Sequence, residues 1–191
     1  MSSIERGLHA TPSGFYPDKV AGILDALGVP AGYGAARGLP LFEEAVRLVS
    51  VGLDVFGREQ FLAADVAERW ASLVAAAARD GVELHLVSGF RSLDYQRGIF
   101  ERKLAAGTTL DDILQVNAPP GYSEHHTGRA VDITTPGLPP LTEAFESSEA
   151  FAWLARSAAQ HGLRMSYPRG NTAGVVYEPW HWYFSSGDSH P

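Results

Sequence analysis

The chain has 191 residues, of which 45% are hydrophobic and 19% are charged, and its formal net charge is −7. This length and composition are typical of one globular domain with a hydrophobic core, while the negative charge disfavours a nucleic-acid-binding surface and adhesion to anionic membranes. The chain contains no cysteine, so disulfides and thiolate ligands are excluded and any metal must be bound by nitrogen and oxygen.

The N-terminal part of the chain predicts helices and loops. A short helix is predicted from Pro17 to Leu27, and apolar spacing predicts two more, from Leu41 to Phe56 and from Gln60 to Arg79. Gly52 weakens the second of these predictions. We predict that residues 1–58 form a helical and loop extension of a core at 59–185, within a single domain of residues 1–191.

The C-terminal part of the chain predicts strands that alternate with helices. Strands are predicted at 82–87, 129–134, 163–167 and 175–184, and helices at 93–105, 110–116 and from Ser147 or Ser148 to Gln160. Ser92 is suited to cap the helix that follows it. Helices first and antiparallel-looking strands later indicate an α+β fold, in which helices pack on one small antiparallel sheet.

The sequence predicts neither a signal peptide nor a membrane anchor. No apolar stretch follows Met1 to Arg6, so a cytoplasmic location is expected, or a periplasmic or extracellular one if the sequence is a trimmed part of a longer chain. No run is long and apolar enough to cross a membrane. We expect a monomer without a membrane or nucleic-acid partner.

Two short segments hold residues suited to metal chemistry. One contains His125 and Asp132, and the other contains Glu178 and His181. A catalytic zinc site has three protein ligands and an open position, together with a nearby carboxylate that moves protons. The four residues supply that set and indicate a metallohydrolase. Each one alone is more simply explained as a surface or capping residue, but the combination at loop-bounded strand ends argues against that explanation.

The predicted strands allow these residues to meet. Asp132 falls on one strand and His181 begins another, so neighbouring strands can present them side by side. His126 is expected to face away from His125, because adjacent residues of an extended segment point to opposite sides. We expect Trp180 to line a cleft and Trp182 to pack in the core.

Several sequence motifs occur in one order along the chain: Ser88-Gly89-Phe90-Arg91-Ser92, Gln96, Ser123-x-His125-x-x-Gly128-x-Ala130-x-Asp132, and Glu178-Pro179-Trp180-His181. Over about residues 60–185 the chain resembles the VanY-type D-alanyl-D-alanine carboxypeptidases, which belong to a group of zinc peptidases that includes lysostaphin-type enzymes and hedgehog domains. The resemblance implies a hedgehog- and DD-peptidase-like fold. It also implies one zinc ion bound by His125, Asp132 and His181, with Glu178 as the catalytic base.

The same resemblance implies a pocket for the substrate. Arg91 would meet the carbonyl or terminal carboxylate of the substrate, with Ser123 and Gln96 completing the pocket. The residues alone leave simpler alternatives open. Arg91 could form a surface salt bridge with Asp94 or Glu101, Ser123 could be a turn residue, and Gln96 could be a solvated helix residue.

The implied activity is removal of a C-terminal D-alanine from peptidoglycan stem peptides, with D,D- or L,D-specificity and a small peptide or muropeptide as substrate. One alternative is an endolysin-like peptidoglycan endopeptidase, which would usually carry a wall-binding module. Another is a non-catalytic zinc-binding interaction domain of hedgehog type. Glu178 argues against that second alternative, because such a domain needs no base beside the metal.

Overall fold

The computed structural model describes residues 15–185. The helices in this range are α1 (Phe15–Ala26), α2 (Tyr33–Arg37), α3 (Ala64–Arg79), α4 (Leu93–Ala105), α5 (Leu110–Val116) and α6 (Glu149–Ser157). The strands are β1 (Leu48–Leu53), β2 (Glu59–Ala63), β3 (His85–Ser88), β4 (Ala130–Thr134), β5 (Leu163–Met165) and β6 (His181–Phe184). Short 3₁₀ helices lie at Glu124–Thr127, Glu143–Ser147 and Ala158–His161. No helix in this range is long and apolar enough to span a bilayer.

The strands form a four-stranded sheet in the order β3-β4-β6-β5 and a separate hairpin of β1 and β2. All of the pairings are antiparallel. This arrangement confirms the predicted α+β fold of helices packed on a small antiparallel sheet. The strands at 82–87, 163–167 and 175–184 are shorter than predicted, and the last is confined to β6, because the Gly-rich and Pro-containing segment before His181 does not pair.

The two central strands separate an apolar face from a polar one. Val131 lies opposite Trp182, and both are buried in the core between the sheet and helices α3 and α6. Asp132 lies opposite His181 in the next pair. Because successive residues of a strand point to opposite faces, this second pair faces away from the core. The sheet thereby presents a carboxylate and an imidazole side by side, as the sequence predicted.

A second apolar core lies between α1, α4 and α5, and it involves residues of the predicted N-terminal extension. In this second core, buried side chains of the predicted extension pack against buried side chains of the predicted peptidase core. The cluster comprises Val20, Ile23, Leu27, Val29, Tyr33, Leu93, Phe100, Ile113 and Leu114.

The helix predicted from Leu41 to Phe56 is wrong, as is the first turn of the helix predicted from Gln60. Residues 41–47 form neither a helix nor a strand, residues 48–63 form the β1–β2 hairpin, and α3 begins only at Ala64. The hairpin turn is held by Asp54, whose carboxylate accepts hydrogen bonds from the backbone N–H groups of Phe56 and Arg58 at 2.8 and 2.9 Å. Such a side-chain-to-backbone turn competes with helix formation, and it outweighs the helical spacing of the apolar residues.

The extension also bonds directly to the loops of the core. Phe42 N donates to Gly121 O and Ala45 N donates to His126 O, each at 2.8 Å. The Glu44 carboxylate accepts from Leu93 N at the start of α4. The predicted boundary at residue 58 falls at the end of the hairpin turn, so β1 and β2 pair across it.

These contacts predict that both cores unfold together. Leu73→Ala in the main core and Ile113→Ala in the second core should each cost about 2–5 kcal/mol, because both side chains are fully buried. Each variant should lower the midpoint of one shared transition followed by near-UV and far-UV circular dichroism. Two separate transitions, each moved by only one substitution, would contradict the single-domain prediction.

Candidate metal centre

Three buried side chains converge at the polar face of the sheet. His125, Asp132 and His181 are 2–3% exposed, and one potential ligand atom from each lies within 4.8 Å of the others. Asp132 and His181 are cross-strand partners on β4 and β6. His125 comes from the 3₁₀ helix that precedes β4. Two imidazole nitrogens and one carboxylate oxygen are a donor set that suits a catalytic zinc ion.

The imidazole of His125 is oriented by the main chain. Its Nδ1–H donates to Gly89 O at 2.6 Å, which leaves Nε2 as the lone-pair nitrogen, 3.3 Å from Asp132 Oδ2. Burial lowers the pKa of His125 to about 4. The ring is therefore neutral at physiological pH, which is the form that binds a metal.

The imidazole of His181 lies between two carboxylates. Its Nδ1 is 3.0 Å from Asp132 Oδ1 and its Nε2 is 3.0 Å from Glu124 Oε2. Burial by itself lowers the pKa of His181, but the hydrogen bonds to both carboxylates outweigh it and raise the pKa to about 10. A metal ion that binds this ring must displace a proton.

Glu178 lies beside the three residues without being one of them. Its Oε2 is 3.9 Å from His181 Nδ1, and the residue is 8% exposed. Burial raises the pKa of Glu178 to about 7, and the negative charge of Asp132 contributes to the rise. A carboxylate with a pKa near neutrality can both accept and return a proton, as general acid–base chemistry requires.

Arg91 lies in the wall of the same cleft, and within residues 15–185 it forms no salt bridge with Asp94 or Glu101. Its Nη2 is 2.5 Å from Asp132 Oδ2, and its Nε donates to Ser88 Oγ at 2.9 Å. Asp94 pairs instead with Lys19, and Glu101 pairs with Arg97.

The cleft above the three residues has a volume of about 240 Å³. Gln96 is 1% exposed, so the alternative of a solvated helix residue is wrong. Its Nε2 donates to Ala118 O at 2.8 Å, whereas its buried Oε1 has no partner among residues 15–185. Ser123 and Trp180 also line the cleft. Trp182 is buried in the main core, as predicted.

His126 lies outside the three-residue cluster, as predicted, but it and His125 belong to a 3₁₀ helix and not to the extended segment on which that prediction rested. His126 holds the backbone that carries Arg91. Its Nδ1–H donates to Arg91 O at 2.6 Å, and its Nε2 accepts from Gly121 N at 3.0 Å. Gly89 approaches the hairpin so closely that a Cβ atom would lie 2.7 Å from Phe61 O. The loop that carries Arg91 is therefore held by His126 on one side and by the β1–β2 hairpin on the other.

Two residues in or beside the cleft, Glu124 and Lys103, were not predicted from the sequence as site residues. Glu124 accepts a hydrogen bond from His181, and its only signal was its place between Ser123 and His125 in the first motif. Lys103 lines the cleft, and burial lowers the pKa of its ammonium group, with the charge of Arg91 contributing. Its signal was its position seven residues after Gln96, on the same side of α4.

The comparisons with known proteins agree with this geometry. A family model described as VanY, D-alanyl-D-alanine carboxypeptidase, matches residues 59–187. A D-alanyl-D-alanine carboxypeptidase of Enterococcus faecalis (strain ATCC 700802 / V583) is 32% identical over 122 residues, which cover 59% of this chain and 44% of that protein.

Two solved structures are similar over most of the chain. The LdcB LD-carboxypeptidase has a TM-score of 0.65 and 31% identity, and the match covers 74% of this chain and 69% of that one. A mutant of the VanY D,D-pentapeptidase from a VanB-type resistance cassette, in complex with Zn(II), has a TM-score of 0.59 and 29% identity, with 76% and 82% covered.

The chain spans less than half the length of the first curated relatives it matches, between 36% and 46%. The family model nevertheless matches more than half of this chain and includes all three residues of the candidate metal centre. This chain belongs to the VanY family of D-alanyl-D-alanine carboxypeptidases.

Proposed function

We propose that this protein is a zinc-dependent carboxypeptidase that removes a C-terminal D-alanine from peptidoglycan stem peptides. The observation that carries the proposal is the convergence of His125, Asp132 and His181 at the floor of a cleft that also holds Glu178 and Arg91. Family membership and the Zn(II) complex of the related VanY structure support it.

The three converging residues are the proposed ligands of one zinc ion. A zinc ion held there would polarise a peptide carbonyl and lower the pKa of a bound water. His125 offers Nε2, since its Nδ1 is engaged by Gly89 O, and His181 offers Nδ1, since its Nε2 is engaged by Glu124.

Glu178 is the proposed proton carrier. Its carboxylate would accept a proton from the attacking water and deliver it to the nitrogen of the leaving D-alanine, which would otherwise depart as an unstable anion. Its burial and its pKa of about 7 suit both transfers. Its distance of 3.9 Å from His181 Nδ1 keeps it close to the reacting atoms.

The remaining cleft residues suit a peptide that ends in a carboxylate. The guanidinium of Arg91 and the ammonium of Lys103 place two positive charges in the cleft. Either can pair with a terminal carboxylate, and Arg91 can also stabilise the oxyanion that develops on the scissile carbonyl. Gln96 also lines the cleft, and its Oε1, which has no partner among residues 15–185, would accept a substrate N–H. Ser123 and Trp180 would complete the walls.

The two alternative functions fit these observations less well. An endopeptidase has no terminal carboxylate to recognise, whereas this cleft contains two cations. A non-catalytic zinc-binding domain has no use for a buried carboxylate whose pKa lies near neutrality beside the metal ligands. The related structures include both an LD-carboxypeptidase and a D,D-pentapeptidase, so both specificities are retained in the proposal.

The direct test is release of D-alanine from a panel of stem peptides. The zinc-loaded protein should release D-alanine from pentapeptides if it is D,D-specific and from tetrapeptides if it is L,D-specific. Release of D-alanine from neither, with cleavage at an internal bond of longer peptides, would favour the endopeptidase. No hydrolysis of any peptide by a zinc-loaded protein would favour the interaction domain.

Zinc content tests the proposed ligands. The wild-type protein should bind one zinc per chain and lose it to a chelator, and His181→Ala should lower zinc occupancy strongly, because three ligands are needed to hold the ion. His85→Ala is a matched control, since that exposed imidazole pairs with Glu83, outside the candidate metal centre, and should leave occupancy unchanged. Full occupancy in His181→Ala, measured by elemental analysis, would rule out the proposed ligand set.

Glu178→Gln tests the proton carrier. The amide cannot accept the proton, so turnover should fall by about two to four orders of magnitude while zinc stays bound. In the wild type, kcat/KM should fall on the acid side as Glu178 becomes protonated. The midpoint of this fall should lie at or below a pH of about 7, because the positive charge of a zinc ion nearby favours the carboxylate form. Near wild-type turnover in the zinc-loaded variant would contradict this role, and loss of zinc would make Glu178 a ligand.

Arg91→Lys tests recognition of the carboxylate. A lysine keeps the charge but lacks the planar fork, so kcat/KM should fall by about 10- to 100-fold, given that a hydrogen bond to a charged group contributes about 1.5–3 kcal/mol. Arg97→Lys, on the exposed part of α4, is the matched control. Amidation of the peptide C-terminus should abolish turnover by the wild type, and efficient cleavage of the amidated peptide would contradict the assignment.

The expected cytoplasmic location and monomeric state stay predictions. Cell fractionation and analytical ultracentrifugation test them directly.

A further inference from the structure

Glu124 is a buried carboxylate that is neither a proposed zinc ligand, nor the proposed proton carrier, nor a proposed substrate contact. It is 7% exposed, and its Oε2 lies 3.0 Å from His181 Nε2. The other nitrogen of the same ring, Nδ1, faces Asp132 and the converging ligand atoms. Glu124 therefore lies behind the proposed zinc ligand, on the side away from the proposed metal position.

The carboxylate of Glu124 is held by residues of β5 and its end. Ser166 Oγ donates to Oε2 at 2.5 Å, and Arg164 Nη2 donates to Oε1 at 3.1 Å. Arg164 Nη1 also donates to Ser166 Oγ at 3.1 Å, and its guanidinium lies 4.9 Å from the centre of the Tyr183 ring on β6. Strand β5 pairs with β6, so the strand that carries His181 also positions the support of Glu124.

Three side chains satisfy the buried carboxylate of Glu124. His181, Ser166 and Arg164 each lie within hydrogen-bond distance of one of its oxygens. A buried carboxylate without partners would be unstable, whereas this one has three. A carboxylate can accept a hydrogen bond but cannot donate one.

An acceptor at Nε2 decides which nitrogen of His181 carries the proton in the neutral ring. With the proton on Nε2, the lone pair lies on Nδ1, the nitrogen directed at the ligand cluster. The two histidines of the cluster thus use opposite nitrogens, and each is fixed by its own acceptor. The acceptor for His125 is the backbone carbonyl of Gly89, whereas the acceptor for His181 is a side-chain carboxylate.

We infer that Glu124 is a positioning residue that fixes the orientation and tautomer of His181 and strengthens its binding to zinc, an inference that rests on the proposed zinc site. Partners of this kind typically change metal affinity by about 10- to 100-fold when they are removed. Glu124 does not touch the substrate. Its effect reaches the reaction through His181.

A purely structural role makes a different prediction. If Glu124 served only to anchor β5 through Arg164 and Ser166, its substitution would lower the stability of the fold and leave the zinc affinity of the folded protein unchanged. Zinc affinity and the absorption spectrum of the cobalt-substituted protein separate the two roles, because both report on the ligands and not on global stability.

The experiment uses Glu124→Gln in the full chain. The amide can still accept one hydrogen bond from His181, but it carries no charge and its NH₂ group faces the donors Ser166 and Arg164. The dissociation constant for zinc, measured by competition with a chromophoric chelator, should rise by about 10- to 100-fold, and the d–d absorption of the Co(II) form should change.

Asp80→Asn is the matched control. Asp80 Oδ2 accepts the indole N–H of Trp153 at 2.7 Å, so this substitution also removes the charge of a carboxylate that accepts from an aromatic ring, but outside the cleft. It should leave zinc affinity and the Co(II) spectrum as in the wild type. Equal losses of zinc affinity in Glu124→Gln and Asp80→Asn would overturn the inference, because the effect would then be general.

Wild-type zinc affinity and an unchanged Co(II) spectrum in Glu124→Gln would also overturn the inference. If Glu124→Gln does not fold, Ser166→Ala and Arg164→Gln decide, since each removes one hydrogen bond to the carboxylate and leaves Glu124 in place. Weaker zinc binding in both supports the role, and wild-type binding in both overturns it. Failure of the wild type itself to bind zinc would contradict the proposed function, a result distinguishable from all of these.

Discussion

The antiparallel pairing of β4 with β6 is the interaction on which the site depends. Its register sets Asp132 opposite His181 and, in the next pair, Val131 opposite Trp182. A slip of one residue would turn the apolar pair toward the cleft and the polar pair toward the core. The burial of Val131 and Trp182 in the main core prevents that slip. Hydrophobic packing on one face of the sheet thus sets the geometry of the polar residues on the other face.

The adjacent residues His125 and His126 together position the backbone of Arg91. His125 presents Nε2 to the cluster and accepts Arg91 N–H through its own carbonyl, while His126 binds the carbonyl of Arg91 from the other side. The backbone of Arg91 is therefore tied to the first proposed ligand by main-chain and imidazole contacts. Its guanidinium is held by hydrogen bonds to Ser88 and Asp132.

The sequence was informative where a local pattern had a single structural meaning. The helices at 93–105 and 110–116 have the predicted bounds, and Ser92 accepts from Tyr95 N as the predicted cap. The residues of the proposed metal site were predicted from the combination of imidazoles and carboxylates at loop-bounded strand ends and from the resemblance to the VanY-type enzymes. Their convergence required the register of β4 and β6, which is a tertiary property.

The sequence was misleading where local and tertiary preferences differ. The apolar spacing of residues 41–56 fits a helix, but the Asp54 turn and pairing with β2 make a hairpin. The role of Glu124 was hidden for a related reason, since its partners Arg164 and Ser166 are about 40 residues away in sequence. No short segment of the sequence contains all three of these residues, so local patterns do not reveal their contact.

The second core has a consequence for the unit of folding. The match to the family begins at residue 59, yet the buried side chains of Leu93, Phe100 and Ile113 are covered by α1 and the segment that follows it. A chain reduced to the matched region would expose that apolar surface and leave β2 with an unpaired edge. Exposed apolar patches and open strand edges promote self-association. The region matched by the family model is thus smaller than the region that buries the second core.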